Sequence, residues 1–237
     1  NNELTKLPLK FRNVTGSFNC NHNQLTTLEG SPETVGGDFY FHSNKLTTLK
    51  GSPKKIGGNF YGINNKLITL EGSPKSVGDF YCINNKLVTL EGAPETVLGD
   101  FICSNNLLTS LKGSPQSVGG GFYCSNNQLK TLEGCAQIVG GGFSCRGNRL
   151  TSLKGGPQSI NGTGYYFANN QINDLTGFPE FWDGEVIFIN NPVSNILLKF
   201  PEDKVCKAIY WMNELGVTHG GKLNQERLEE VFIILGL

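Results

Sequence analysis

Seven cysteines and three histidines carry most of the latent chemistry in this 237-residue chain. Thiols ligate zinc, pair as disulfides or act as nucleophiles, and each role asks for its own spacing. Cys82, Cys103, Cys124 and Cys145 follow one another at intervals of 21 residues, and Cys20 belongs to the same series, in which Phe41, Phe167 and Phe188 take other places. A thiol that alternates with phenylalanine is core filler. No C-x-x-C pair occurs, and an odd total in a chain without a secretory signal argues for reduced thiols. His22, His42 and His219 fit neither a Ser-His-Asp arrangement nor His-Glu-x-x-His. No catalytic residue, metal ligand or cofactor is expected, and the chain reads as a non-enzyme.

Tyrosine recurs on the same interval, and its chemistry is contact. Tyr40, Tyr61, Tyr81, Tyr123 and Tyr166 form one series with Ile102, while His42, Ile63, Ile83 and Arg146 belong to a second series two residues on. Tyrosine offers a large contact area with little rotamer entropy to lose, which enriches it at binding hot spots. Asp38, Asp79 and Asp100, with Asn59 among them, form an acidic row ahead of the tyrosines; Lys45, Lys66, Lys86 and Arg149 form a basic row beyond them. An aromatic centre inside a polar rim is the composition of a protein interface. Tyr40, His42, Tyr61, Ile63, Tyr81, Ile83, Ile102, Tyr123, Arg146, Tyr166, Asp38, Asp79 and Asp100 are therefore the candidate partner-binding residues. A second reading is compatible with the first: rings stacked rung on rung strengthen a sheet by about 0.2 to 1 kcal/mol per pair, and charged rows serve as solvated edges.

What places these residues in columns is a repeat, which decides architecture before local propensity does. Asn2, Asn23, Asn44, Asn65, Asn85, Asn106, Asn127, Asn148, Asn170 and Asn191 lie 20 to 22 residues apart. The residues five and three before each Asn, such as Phe80 and Cys82, share one face of a short strand and point inward, so the residues four and two before it point out. Leucines follow at two and five after the Asn, then a Gly, usually a Pro, and a Val or Ile. The proline keeps this return leg extended or turn-like. The repeated Asn is expected to turn inward and bond backbone groups of neighbouring coils. Glycine pairs such as Gly57 and Gly58 are expected to permit a bulge or a positive φ at the corner. Strands about 4.8 Å apart give nine of them a span of roughly 40 Å.

Read from Val77 to Leu87, the chain V-G-D-F-Y-C-I-N-N-K-L resembles the leucine-rich repeat pattern L-x-x-L-x-L-x-x-N-x-L, with Phe and Cys at two leucine positions. The return leg is similar to that of the short bacterial repeats of type III effectors, which usually carry Leu-Pro-Glu-Leu-Pro where this chain has Leu-Glu-Gly-Ser-Pro. The combination S-P-x-x-V-G-G is similar to phage-encoded repeat proteins. The resemblance covers about residues 2 to 191 and implies a leucine-rich repeat solenoid with a curved parallel β-sheet, whose outward strand residues line a concave face. Some effectors with similar repeats append a cysteine-dependent ubiquitin ligase, but Cys206-Lys207-Ala208 lacks that family's Cys-x-Asp motif.

Two units follow: a solenoid over residues 1–191 with about nine strands, and a C-terminal α-helical cap over 192–237. In the cap, Asp203 to Leu215 and Asn224 to Leu235 have helical spacing. The chain opens inside a repeat, which leaves room for residues ahead of Asn1. Lys plus Arg and Asp plus Glu each number 20, for no net charge, and nothing resembles a signal segment or an apolar run of eighteen. Nucleic acid and anionic membranes are disfavoured as partners, and the expected setting is the cytoplasm, the host's if the chain is viral. The function expected is a protein-binding module that captures a folded partner on its aromatic face, acting as an inhibitor of a host protein if the phage likeness holds. The alternatives are a structural subunit or homo-oligomer joined through the tail helices or sheet edge, and a glycan-binding protein.

Overall fold

The computed structural model describes residues 3–162, 164–179 and 184–237. The repeat folds as a parallel β-solenoid in which each coil adds one strand to a nine-stranded sheet. The strands run in order from Phe18–Asn19 through Phe39–Tyr40, Phe60–Tyr61, Phe80–Tyr81, Phe101–Ile102, Phe122–Tyr123, Phe143–Ser144 and Gly164–Tyr166 to Glu185–Ile187. Register is exact to the residue: Tyr40 pairs with Tyr61, Tyr61 with Tyr81, Tyr81 with Ile102 and Ile102 with Tyr123. Residues some 20 positions apart in sequence are thereby cross-strand neighbours.

The inward series builds the core. Phe39, Phe60, Phe80, Phe101, Phe122 and Phe143 are fully buried, and Phe60 and Phe80 lie face to face with centroids 5.0 Å apart and planes within 4°. The paired leucines, from Leu25 and Leu28 to Leu150 and Leu153, close the far side of each coil.

The repeated Asn does turn inward. Asn106 accepts the Leu87 N–H at 3.0 Å and donates to the carbonyls of Cys82 and Cys103, both at 3.0 Å. One side chain thus joins two coils, and the same three bonds recur at Asn44, Asn65, Asn85, Asn127 and Asn148. The residue before each repeated Asn from Asn23 onward holds a left-handed backbone, with φ between 49° and 60° at His22, Ser43, Asn64, Asn84, Asn105, Asn126, Asn169 and Asn190 and 69° at Gly147. Asparagine tolerates that region better than most residues, which explains the recurring Asn-Asn pair.

The expectation of positive φ at the glycine pairs is corrected. Positive φ falls instead on the glycine two residues before each return-leg proline, as at Gly51 with φ 88°, where a Cβ would also come within 2.6 Å of the Leu28 carbonyl carbon. The glycine pairs are needed for close approach: a Cβ at Gly57 would collide with the carbonyl of Gly36 one coil earlier. Between the pair and the proline, the return legs form parallel ladders of their own. One joins Asn13–Val14, Thr34–Val35 and Lys55–Ile56; the other runs from Ser76–Val77 to Ser159–Ile160.

After the last strand come α1 (Ser194–Leu197), a 3-10 turn over Glu202–Lys204 leading into α2 (Val205–Glu214), and α3 (Gln225–Ile234). Asp203, expected to open a helix, lies in that turn. The side chain of Asn224 caps α3 by accepting the Arg227 N–H at 3.1 Å. Leu197, Phe200, Ile209, Met212, Leu228 and Val231 extend the solenoid core into these helices. None of the helices among the described residues is long and apolar enough to cross a membrane.

Candidate functional site

The outward face of the nine-stranded sheet carries the candidate residues, and the register gathers them into columns. Tyr40 and Tyr61 stack with ring centroids 4.7 Å apart and planes within 3°; Tyr61 and Tyr81 follow at 4.9 Å and 10°. All three are half-buried. Ring spacing equals strand spacing, so each tyrosine needs no deviation from its rung to stack on the next.

The acidic row fixes these rings from one side. Asp38 accepts the Asn59 N–H at 2.7 Å through one carboxylate oxygen and the Tyr40 hydroxyl at 2.7 Å through the other. Asn59 Oδ1 accepts the Asp79 N–H at 2.7 Å, and Asp79 in turn accepts the Asp100 N–H at 2.8 Å and the Tyr81 hydroxyl at 3.2 Å. Asp100 ends the run on the Gly121 N–H at 2.6 Å, and Ser17 begins it by accepting the Asp38 N–H at 3.0 Å. Each member tethers the backbone of the next coil, an internal task alongside the rim role expected for Asp38, Asp79 and Asp100. Ser17 is a member that the acidic pattern alone did not reveal.

Asn59 differs from its neighbours in a useful way. Its Oδ1 is committed to a backbone N–H, so its Nδ2 must face Tyr61, and it donates to the Tyr61 hydroxyl at 3.0 Å. Tyr40 and Tyr81 spend their protons on carboxylates, whereas the Tyr61 hydroxyl accepts and keeps its own proton for an outside acceptor. The hydrogen bond to Asp38 lifts the Tyr40 phenol to about 12, and burial, followed by the Asp79 charge, lifts Tyr81 to about 12.

Beyond Tyr81 the wall is interrupted. Ile102 is half-buried on the next rung, Ser144 is buried, and Tyr123 and Tyr166 stand apart from the three-ring stack. Tyr123 and Tyr166 each have a glycine two residues earlier, Gly121 and Gly164, where Tyr40 and Tyr81 have an aspartate. A Cβ at Gly121 or Gly164 would run into the Tyr123 or Tyr166 ring, so each ring lies over its own glycine. Burial raises the Tyr123 phenol, and Tyr166 is 37% exposed. Five tyrosines in sequence thus become one wall of three and two separate rings.

In the adjoining column His42, Ile63 and Ile83 are half-buried and Arg146 is exposed. His42 Nε2 lies 2.9 Å from Asn21 Nδ2 and its ring packs edge-on to His22 at 5.0 Å. Burial, and then the neighbouring His22, lower its pKa. Further along, Ser125 and Ser144 hydroxyls meet at 2.7 Å. Of the basic row, Lys45 bonds Gln24 Oε1 at 2.9 Å, and Lys66, Lys86 and Arg149 are exposed. Among the described residues the ion pairs Lys50–Glu29, Lys75–Glu95 and Lys112–Glu91 join return legs, and none involves the acidic row.

Six of the seven cysteines are buried as free thiols and Cys206 is exposed on α2. Burial raises the buried thiols, Cys20 and Cys124 to about 12, which leaves them protonated and poor nucleophiles. No group of three or more His, Cys, Asp or Glu side chains is placed to hold a metal ion among the described residues. Neither a protein-family model nor a curated protein matches the chain.

Proposed function

We propose that this solenoid is a leucine-rich repeat protein of the short bacterial and phage type, and that it is a non-enzymatic module binding a folded protein on the outward face of its main sheet. The observation that carries the reading is the Tyr40–Tyr61–Tyr81 stack, with every hydroxyl tied to a residue two positions earlier. A half-exposed aromatic wall that is ordered before a partner arrives loses little rotamer freedom on binding, and preorganisation of this kind strengthens association. Ile63 and Ile83 extend it as apolar surface, and the Tyr61 proton offers one directed hydrogen bond. The module acts in the cytoplasm by occluding or scaffolding its partner, and in a phage setting by inhibiting a host protein.

Affinity capture from lysate tests this with three baits: the native chain, Tyr61→Ala/Tyr81→Ala and Tyr61→Phe/Tyr81→Phe. A protein held by the native bait should be lost on the alanine bait, while the phenylalanine bait, which keeps the stack, should retain most of it. Equal recovery of the same protein on native and alanine baits removes the outward face as the binding surface.

A further inference from the structure

At every internal junction of the main sheet three backbone N–H groups reach forward to the next coil. Phe18, Cys20 and His22 donate to the carbonyls of Asp38, Tyr40 and His42 at 2.9, 2.8 and 3.0 Å. The equivalents on the last strand, Glu185–Ile187, and just beyond it are Val186, Phe188 and Asn190. No acceptor meets them among the described residues, although the strand pairs fully with Gly164–Tyr166 on its other side. The helical tail replaces only part of a following coil. The Ser194 hydroxyl donates to the Phe188 carbonyl, where a further Asn side chain would have done so, and Leu197 and Phe200 cover the core. The strand edge itself stays open.

In front of that edge lies a cleft of about 600 Å³, lined by Val186, Phe188, Ile189, Leu197, Leu198 and Phe200 among others. Ile189 is 64% exposed and Leu198 82%. Unpaired donors repeating every second residue are complementary to the carbonyls of an extended strand, and an apolar cleft beneath them selects apolar side chains at alternate positions.

We propose that this edge is a docking site for an extended segment of another polypeptide, apolar at alternate residues, which adds as a tenth strand by accepting hydrogen bonds from Val186, Phe188 and Asn190. The site lies at the end of the sheet and does not depend on the tyrosine face.

Amide hydrogen exchange followed by NMR on the full chain tests it. The probe is a synthetic peptide with the sequence of residues 77–87 carrying Cys82→Val, since Phe80 and position 82 supply the apolar alternation. At saturating peptide, exchange at Val186, Phe188 and Asn190 should slow by about tenfold or more. The same peptide with Phe80→Asp should leave it unchanged. Leu198→Glu in the protein, at a site too exposed to matter for folding, should abolish the slowing. The proposal fails if saturating peptide leaves the three amides unchanged, or if the slowing survives Leu198→Glu. Slow exchange in the free chain at every dilution shows that the tail already covers the edge, and protection that grows with protein concentration alone gives the edge to a second copy; either result overturns the proposal.

Discussion

The Asp100 backbone N–H donates to the Asp79 carboxylate at 2.8 Å, and the second oxygen of that carboxylate takes the Tyr81 hydroxyl at 3.2 Å. One side chain thus ties the next coil to its own ring. Asp79→Ala should cost about 1 to 2 kcal/mol, because a half-buried N–H and a phenol lose their acceptor together. Asp79→Asn should cost less than about 0.5 kcal/mol, since Asn59 already performs both tasks one coil away with an amide. Urea unfolding of the two variants separates a bonding role from a charge role. Equal losses for both would mean that the negative charge itself holds the row together.

Asn106 is 6% exposed and holds three buried backbone groups. Asn106→Ala strands one N–H and weakens the satisfaction of two carbonyls, and should destabilise the chain by about 3 kcal/mol. Asn106→Asp should be as harmful at neutral pH, because a carboxylate has no donor for the carbonyls of Cys82 and Cys103. Denaturant midpoints measure both.

The Tyr40 and Tyr81 phenols rise from 10 to about 12 on folding. A raised value means that the folded chain favours the protonated phenol. Its contribution is complete below pH 10, where the unfolded phenol ionises, and is lost as the pH climbs from 10 through about 12. Thermal stability should therefore fall across that window, and ultraviolet tyrosinate titration should show Tyr40 and Tyr81, together with Tyr123, ionising late. Asp38→Asn should return Tyr40 toward 10.

Thiol accessibility follows from burial. Under native conditions a thiol reagent should modify Cys206 alone, and in denaturant all seven cysteines should react. Fast native labelling of Cys103 or Cys124 would show that the coils open locally.

Much of this molecule is legible in the period. The spacing of Phe80, Cys82 and Asn85 shows which side chains share a face and which residues stack across coils, so the inward Asn and the tyrosine column follow from arithmetic. What spacing does not contain is the backbone opposite each residue. Asp79 reads as a rim charge because its target is the N–H of Asp100, and a main-chain donor leaves no mark in a sequence. Gly57 reads as a corner residue because the Gly36 carbonyl that crowds it belongs to another coil. The grouping of tyrosines into three and two turns on what stands two residues earlier: Asp79 holds the Tyr81 hydroxyl, whereas Gly121 leaves room for the Tyr123 ring to lie over it. The open edge at Val186 is hidden for a different reason: it is a bond that every other coil makes and this one does not.

The Asn staples have a consequence for how such an array changes length. Since every interior coil offers its neighbours the same three carbonyl and amide partners, a whole coil can be duplicated or excised at the gene level without orphaning any of them. Exchange of side chains in the columns of Tyr81 and Ile83 leaves those staples in place. The step from Tyr81 to Ile102 shows where such shuffling would alter what a partner meets while leaving the chassis untouched.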